Sequence, residues 1–103
     1  MGDLEVTIER LAATITLRAA GPVDGKTAAS LLEPLLAAAA ACNVTVCVDL
    51  ARATYMSNAG LRVLVLAAQA LRSRDARLRL EHVPPHIGNL LRNAGFTSFV
   101  DIA

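Results

Sequence analysis

The sequence predicts an α/β layer fold in a single domain spanning residues 1–103, with helices packed mainly against one face of a mixed β-sheet. Two patterns support this prediction. Apolar residues alternate with polar ones in short segments, which is typical of strands, and between these segments the apolar period changes to about 3.6, which is typical of helices. The predicted order is strand, strand, helix, strand, helix, strand, helix, strand. A chain of 103 residues can build one hydrophobic core but not two.

Two strands and a helix are predicted before the middle of the chain. Apolar residues alternate over residues 4–8 and again over residues 14–18, and the pair at residues 12–13 forms the predicted hairpin turn. A run rich in Ala and Leu predicts a helix over residues 24–41. Pro34 lies inside that run and should kink the helix or begin a new helical segment.

The second half contains the remaining elements. Alternating β-branched residues over residues 44–50 predict a strand with at least one buried face. A short loop and a helix over residues 57–73 follow it. Beyond this helix the sequence predicts a strand over residues 77–80, a short helix over residues 87–94 and a last strand over residues 96–100.

Composition and charge exclude several classes of protein. Charged residues make up 18% of the chain and hydrophobic residues 54%, which is typical of a globular domain. The formal net charge of +1 argues against a nucleic-acid partner, since such binding depends on clustered basic charge. No stretch reaches the roughly 20 apolar residues of a membrane span, and the acidic N-terminus is unlike a signal peptide. We therefore expect no membrane contact and a cytoplasmic location.

No catalytic, metal or cofactor site is expected. Cys42 and Cys47 are interpreted as small buried apolar residues rather than metal ligands. His82 and His86 flank two prolines and do not form a helical pair, and in the sequence neither comes with an obvious orienting acid that would help to activate Ser57 as a nucleophile. We therefore expect a binding protein rather than an enzyme.

The start of the helix over residues 57–73 is the strongest candidate for a contact site. A strand that leads directly into a helix points the unpaired amides of the helix N-terminus toward the connecting loop. Either Ser57 or Asn58 can cap this helix, because both side chains can accept a hydrogen bond from a first-turn amide. Gly60 leaves room for close backbone approach.

A helical wheel places several polar side chains opposite the apolar arc of this helix. The polar arc includes Asn58, Arg62 and Gln69, with Val65 in its middle and Leu66 at its edge. An apolar side chain ringed by polar ones is typical of a small partner surface. A single exposed valine is also common on any protein surface, so the wheel alone leaves both interpretations open.

Two segments resemble STAS domains, the module of anti-sigma factor antagonists and of sulfate-transporter tails. The more specific segment is VDLARATYMSNAGLRVLVLAAQAL at residues 48–71, and the other is GPVDGKTAASL at residues 21–31. The resemblance covers nearly the whole chain. It implies a single STAS-like (SpoIIAA-like) domain.

The resemblance further implies an anti-sigma factor antagonist, which binds an anti-sigma factor that is also a serine-protein kinase and so frees a sigma factor. A serine phosphatase is a further expected partner. The implied partner-binding residues lie at the turn before the first helix and along the helix over residues 57–73: Asp24, Ser57, Asn58, Ala59, Gly60, Arg62, Val65, Leu66 and Gln69.

Asn58 departs from the family pattern, because it stands where other members carry the serine that the kinase phosphorylates. Asparagine keeps the capping ability, but it has no hydroxyl to accept a phosphoryl group. Ser57, the preceding residue, is the available substitute acceptor. We therefore expect a domain held in its binding-competent form.

A second function stays open at this point. Some STAS modules are accessory subunits that grip a transporter or a lipid-export ATPase through the same helix. Members of the family also usually continue into a C-terminal helix that is absent here. We therefore expect part of the sheet to be uncovered, which would allow a homodimer to form.

Overall fold

The chain folds into one mixed sheet, and helices connect its parallel strands along the sequence. A computed structural model describes residues 3–41 and 43–103. The elements in these residues are β1 (Glu5–Leu11), β2 (Thr14–Val23), α1 (Ala28–Ala39), β3 (Thr45–Met56), α2 (Asn58–Arg72), β4 (Leu78–Glu81), α3 (Pro85–Asn93), a 3₁₀ turn (Phe96–Ser98) and β5 (Val100–Ile102). The strand order is β1-β2-β3-β4-β5, where β1 is antiparallel to β2 and the other neighbours are parallel. The predicted α/β fold with a mixed sheet is confirmed.

The hydrophobic core lies between one face of the sheet and the helices. Alternate residues of the parallel strands, such as Leu17, Val48 and Leu80, point into this core and are fully buried. Each helix adds its own apolar side chains, including Leu35 of α1 and Leu64 of α2. Parallel strands joined by right-handed crossovers place successive helices on the same face of a sheet, which explains the one-sided arrangement.

The opposite face of the sheet is polar, and its charges pair with one another. The Arg18 Nη2 atom lies 2.7 Å from Glu9 Oε1, and Arg18 Nε lies 3.7 Å from Asp49 Oδ2. Farther across the sheet, Arg79 Nε lies 3.3 Å from Glu81 Oε2. Exposed pairs such as Arg18–Glu9 stabilise a fold only weakly.

The prediction of a loop at residues 51–56 was wrong. β3 continues to Met56, and β2 continues to Val23, because the second halves of these two strands pair with each other. Register shifts between Arg18 and Ala20 and between Gly21 and Pro22 interrupt the pairing. These shifts break the period-two pattern, which is why alternation alone ended both strands too early.

The last strand was also placed too early in the sequence. Gly95 adopts a left-handed conformation (φ 81°) after α3, and Phe96 to Ser98 then form a 3₁₀ turn instead of a strand. Phe96 is buried, and its ring centroid lies 4.9 Å from that of Phe99. Only from Val100 onward does the backbone pair with β4. The two phenylalanines are typical strand residues in the sequence, but here they lie in and beside a turn and pack against the core.

Two further expectations concern Pro34 and the cysteines. Pro34 lies inside α1, which stays one helix, so no new helical segment begins there. Cys47 is buried, as expected, and burial raises the pKa of its thiol. Cys42 lies outside the described residues. Among the residues that the structure describes, no helix combines the length and apolarity that crossing a membrane requires.

Candidate functional site

The start of α2 is held against the end of β2. The Ser57 backbone N–H donates a hydrogen bond of 2.9 Å to the Val23 carbonyl oxygen. Since β3 ends at Met56 beside Val23, α2 begins directly at the carboxyl ends of these two parallel strands. The turn that follows β2 and the first turn of α2 therefore lie side by side.

Ser57 is the capping residue of α2. Its backbone is extended (φ −93°, ψ −179°), and its hydroxyl oxygen accepts a hydrogen bond of 3.2 Å from the Ala59 backbone N–H. Asn58 is the first residue of the helix and is exposed. Of the two capping candidates, Ser57 makes the cap, which leaves the Asn58 amide as the exposed polar group at this helix N-terminus.

Gly60 permits the close approach of α2 to the strands. A Cβ atom at this position would lie 2.9 Å from Met56 Cγ, 2.9 Å from Val23 Cγ1 and 3.0 Å from the Val23 carbonyl oxygen. Gly60 is buried, so it shapes the site from beneath and offers no surface to a partner. The expected close backbone approach is therefore made by β2 of the same chain.

Asp24 organises the turn before α1. Its Oδ1 atom accepts hydrogen bonds from the backbone N–H groups of Lys26 (2.9 Å) and Thr27 (3.2 Å). The Thr27 hydroxyl donates to the Pro22 carbonyl oxygen over 2.8 Å. The backbone hydrogen bond from Lys26 is the main reason that the pKa of Asp24 is lowered below its usual value. Asp24 thus fixes the loop that faces the start of α2.

The lowered pKa of Asp24 leads to a prediction about stability and pH. A carboxylate with a lowered folded-state pKa stabilises the fold above its usual pKa, and this contribution is lost as the pH falls through the folded-state value. We expect Asp24→Asn to lower the urea midpoint at neutral pH and to match wild type at acidic pH. Urea titrations followed by circular dichroism across this range measure the difference. A difference that persists unchanged at low pH would contradict the assignment.

The exposed face of α2 largely agrees with the polar arc of the helical wheel. Arg62, Leu66 and Gln69 are exposed, and Leu66 retains 38% of its accessible surface. Val65 is half-buried, packs against the core and lines a cavity of about 220 Å³ together with Phe99. The wheel left the exposure of Val65 open, and in the structure Val65 lies partly buried beside Phe99. Leu66 is the exposed apolar residue of this face.

Two grooves flank the start of α2, and other elements contribute residues to them that were not predicted from the sequence. The groove between α2 and α3, about 550 Å³, is lined by Tyr55, Met56, Ser57, Asn58, Ala59, His86, Ile87 and Leu90. The cleft between α1 and α2, about 390 Å³, is lined by Ala28, Leu32, Asn58, Ala59, Arg62, Val63 and Leu66. Tyr55 and Leu90 retain 54% and 36% exposure. The signal for Leu90 was its place beside Leu91 in α3, where Ile87 and Leu91 already form the buried face.

Comparison with known proteins identifies the family to which a chain with this geometry is similar. The family described as Mlab, STAS domain matches residues 6–101 of the chain. BtrV of Bordetella bronchiseptica, which is named as an anti-sigma factor antagonist, is 30% identical over 100 residues, covering 97% of this chain and 86% of BtrV.

Solved structures share the fold at lower identity. An anti-sigma factor antagonist from Mycobacterium paratuberculosis has a TM-score of 0.85 at 16% identity, covering 96% of this chain and 84% of that one. SpoIIAA of Bacillus, an anti-sigma factor antagonist solved in unphosphorylated and phosphorylated forms, gives TM-scores of 0.80 and 0.75 at 17% identity. Each form matches 96% of this chain, and the match covers 88% and 91% of SpoIIAA. The family match spans most of the chain and the identity with BtrV extends over nearly all of it, so this chain belongs to the STAS domain family, which includes anti-sigma factor antagonists.

Proposed function

We propose that this chain is an anti-sigma factor antagonist that binds an anti-sigma factor through the surface around the first turns of α2. We call the set Tyr55, Asn58, Arg62, Leu66 and Leu90 the α2 docking surface. The observation that carries the proposal is that Tyr55, Leu66 and Leu90, three of the large exposed apolar side chains, line the two grooves at this end of the sheet. Apolar anchors within a polar rim are typical of protein interfaces.

The residues named from the family resemblance take two kinds of role in this proposal. Asn58, Ala59, Arg62, Leu66 and Gln69 reach the surface and would contact the partner. The other four shape the structure beneath it. Asp24 holds the loop and Ser57 caps the helix. Gly60 allows the close approach of the helix, and Val65 packs against the core.

The mechanism follows from competition for one anti-sigma factor. If this chain and the sigma factor bind that partner exclusively, binding of the chain shifts the equilibrium toward free sigma factor. A phosphoryl group at the first turn of α2 would add roughly −1.5 to −2 charges to a contact with a large apolar part, and would weaken it.

Asn58 bears on how this switch works here. Its amide cannot accept a phosphoryl group. The neighbouring residue, Ser57, is half-buried, and its hydroxyl oxygen accepts a hydrogen bond from the helix backbone. Both features support a chain that stays competent to bind while its partner kinase is active. The proposed partner is thus an anti-sigma factor of the serine-kinase type that does not phosphorylate this chain.

Titration calorimetry with purified anti-sigma factors from the source genome tests this proposal. We expect one of them to bind the wild-type chain, and Leu66→Asp to weaken that binding at least about tenfold, because the change buries a carboxylate in an apolar contact. Leu11→Asp is the matched control. Leu11 is 72% exposed and lies beside the hairpin at the opposite end of the sheet.

Three outcomes would contradict the proposal. They are no binding by any anti-sigma factor, equal binding by Leu66→Asp, and equal loss with Leu11→Asp. Capture of a transporter ATPase by the wild-type chain but not by Leu66→Asp would assign the accessory role to the same surface instead.

A further inference from the structure

We infer that the cleft between α1 and α2 accepts an apolar side chain of the partner flanked by a carboxylate, and that this carboxylate pairs with Arg62. The inference rests on the proposed function and specifies the chemistry of the docking segment. The partner segment is therefore amphipathic and acidic, rather than purely apolar or basic.

The cleft is built from apolar side chains in the N-terminal parts of both helices. Ala28 and Leu32 of α1 form one wall, and Val63 and Leu66 of α2 form the other. A volume of about 390 Å³ is within the range of sites that hold ligands of the size of a few side chains. An apolar side chain would therefore fit into it and cover the exposed part of Leu66.

The charged group lining this cleft is Arg62. Among residues 3–41 and 43–103, the ion pairs of arginine involve Arg18, Arg77 and Arg79, and none involves Arg62. α2 contains no Asp or Glu, and Glu33, the acidic residue of α1, takes part in none of these ion pairs. At the adjacent turn, one Asp24 carboxylate oxygen accepts hydrogen bonds from its own loop.

Docking would remove water from the Arg62 guanidinium, and this decides which partner fits. A buried charge without a partner is costly, whereas a carboxylate can accept two parallel hydrogen bonds from a guanidinium. The unpaired amides at the start of α2 add partial positive charge beside Asn58, in the same cleft. Apolar walls and a positive rim together select an apolar residue next to an acidic one.

Charge substitutions on α2 test the inference, with the anti-sigma factor that binds the wild-type chain as the probe. We expect Arg62→Gln to raise the dissociation constant about tenfold, and Arg62→Glu to raise it about a hundredfold. Arg72→Glu is the matched control. It reverses an exposed arginine of the same helix that does not line the cleft, and we expect a change of less than about threefold.

The readouts separate this inference from the proposed function. We expect wild-type affinity to fall with added salt more steeply than the affinity of Arg62→Gln. We also expect one Asp→Arg or Glu→Arg change in the partner to restore binding to Arg62→Glu. If both Arg62 variants bind like wild type while Leu66→Asp does not, the docking surface stands and the acidic partner segment is wrong. If no anti-sigma factor binds, both fail.

Discussion

Replacing Gly60 by valine is expected to lower the free energy of unfolding by about 1–3 kcal/mol. Even the first atom of the new side chain would lie 2.9 Å from Met56 Cγ and 3.0 Å from the Val23 carbonyl oxygen, so α2 must move away from the sheet. The better helix propensity of valine recovers only a few tenths of a kcal/mol. Urea unfolding followed by circular dichroism measures the loss, and binding of the anti-sigma factor should weaken with it.

Gly25 provides the comparison for this prediction. A Cβ atom there meets nothing within 4 Å, and Gly25 lies in the exposed turn after β2. We expect Gly25→Ala to change stability by no more than about 0.5 kcal/mol. If Gly60→Val is as stable as wild type, then the close contact between α2 and β2 does not fix the site.

The Asn58→Glu variant is expected to separate folding from binding. A carboxylate at the first residue of α2 interacts favourably with the helix N-terminus, so stability should stay unchanged or rise by about 0.3–1 kcal/mol. The same negative charge lies between the two grooves of the docking surface and should weaken binding of the anti-sigma factor at least about tenfold.

Thermal unfolding and titration calorimetry on the same protein samples give the two readouts. Asn58→Gln controls for size without adding charge, and we expect it to bind within about threefold of wild type. Wild-type affinity for Asn58→Glu would place this residue outside the contact. A destabilised Asn58→Glu would show that its loss of binding follows from damage to the fold.

The fold was predictable where apolar periodicity was regular. The alternation at Val46 and Val48, the helical spacing of Leu64 and Leu71, and the glycine after α3 each led to an element that the structure contains. Errors arose where pairing between strands overrode local pattern. The second half of β3 exists because it pairs with β2 across two register shifts, and single-sequence periodicity carries no information about that partner.

The candidate site was predictable only along its own helix. Ser57 and Asn58 were both predicted as possible caps, and Gly60 as a point of close approach, from their residue types and positions. Tyr55 and Leu90 come from β3 and α3 and reach the grooves through tertiary packing alone. The helical wheel left the exposure of Val65 open, because a wheel carries no information about what packs beside the helix.

Displacement of sigma factor tests the central claim most directly. A preformed complex of the anti-sigma factor with its sigma factor, the latter carrying a fluorescent label, is titrated with this chain, and free sigma factor is measured by fluorescence anisotropy. We expect the wild-type chain to release sigma factor in a saturable manner, Leu11→Asp to match it, and Leu66→Asp to release little at the same concentrations. Release by Leu66→Asp equal to wild type, or no release at saturating wild-type chain, would contradict the proposed function.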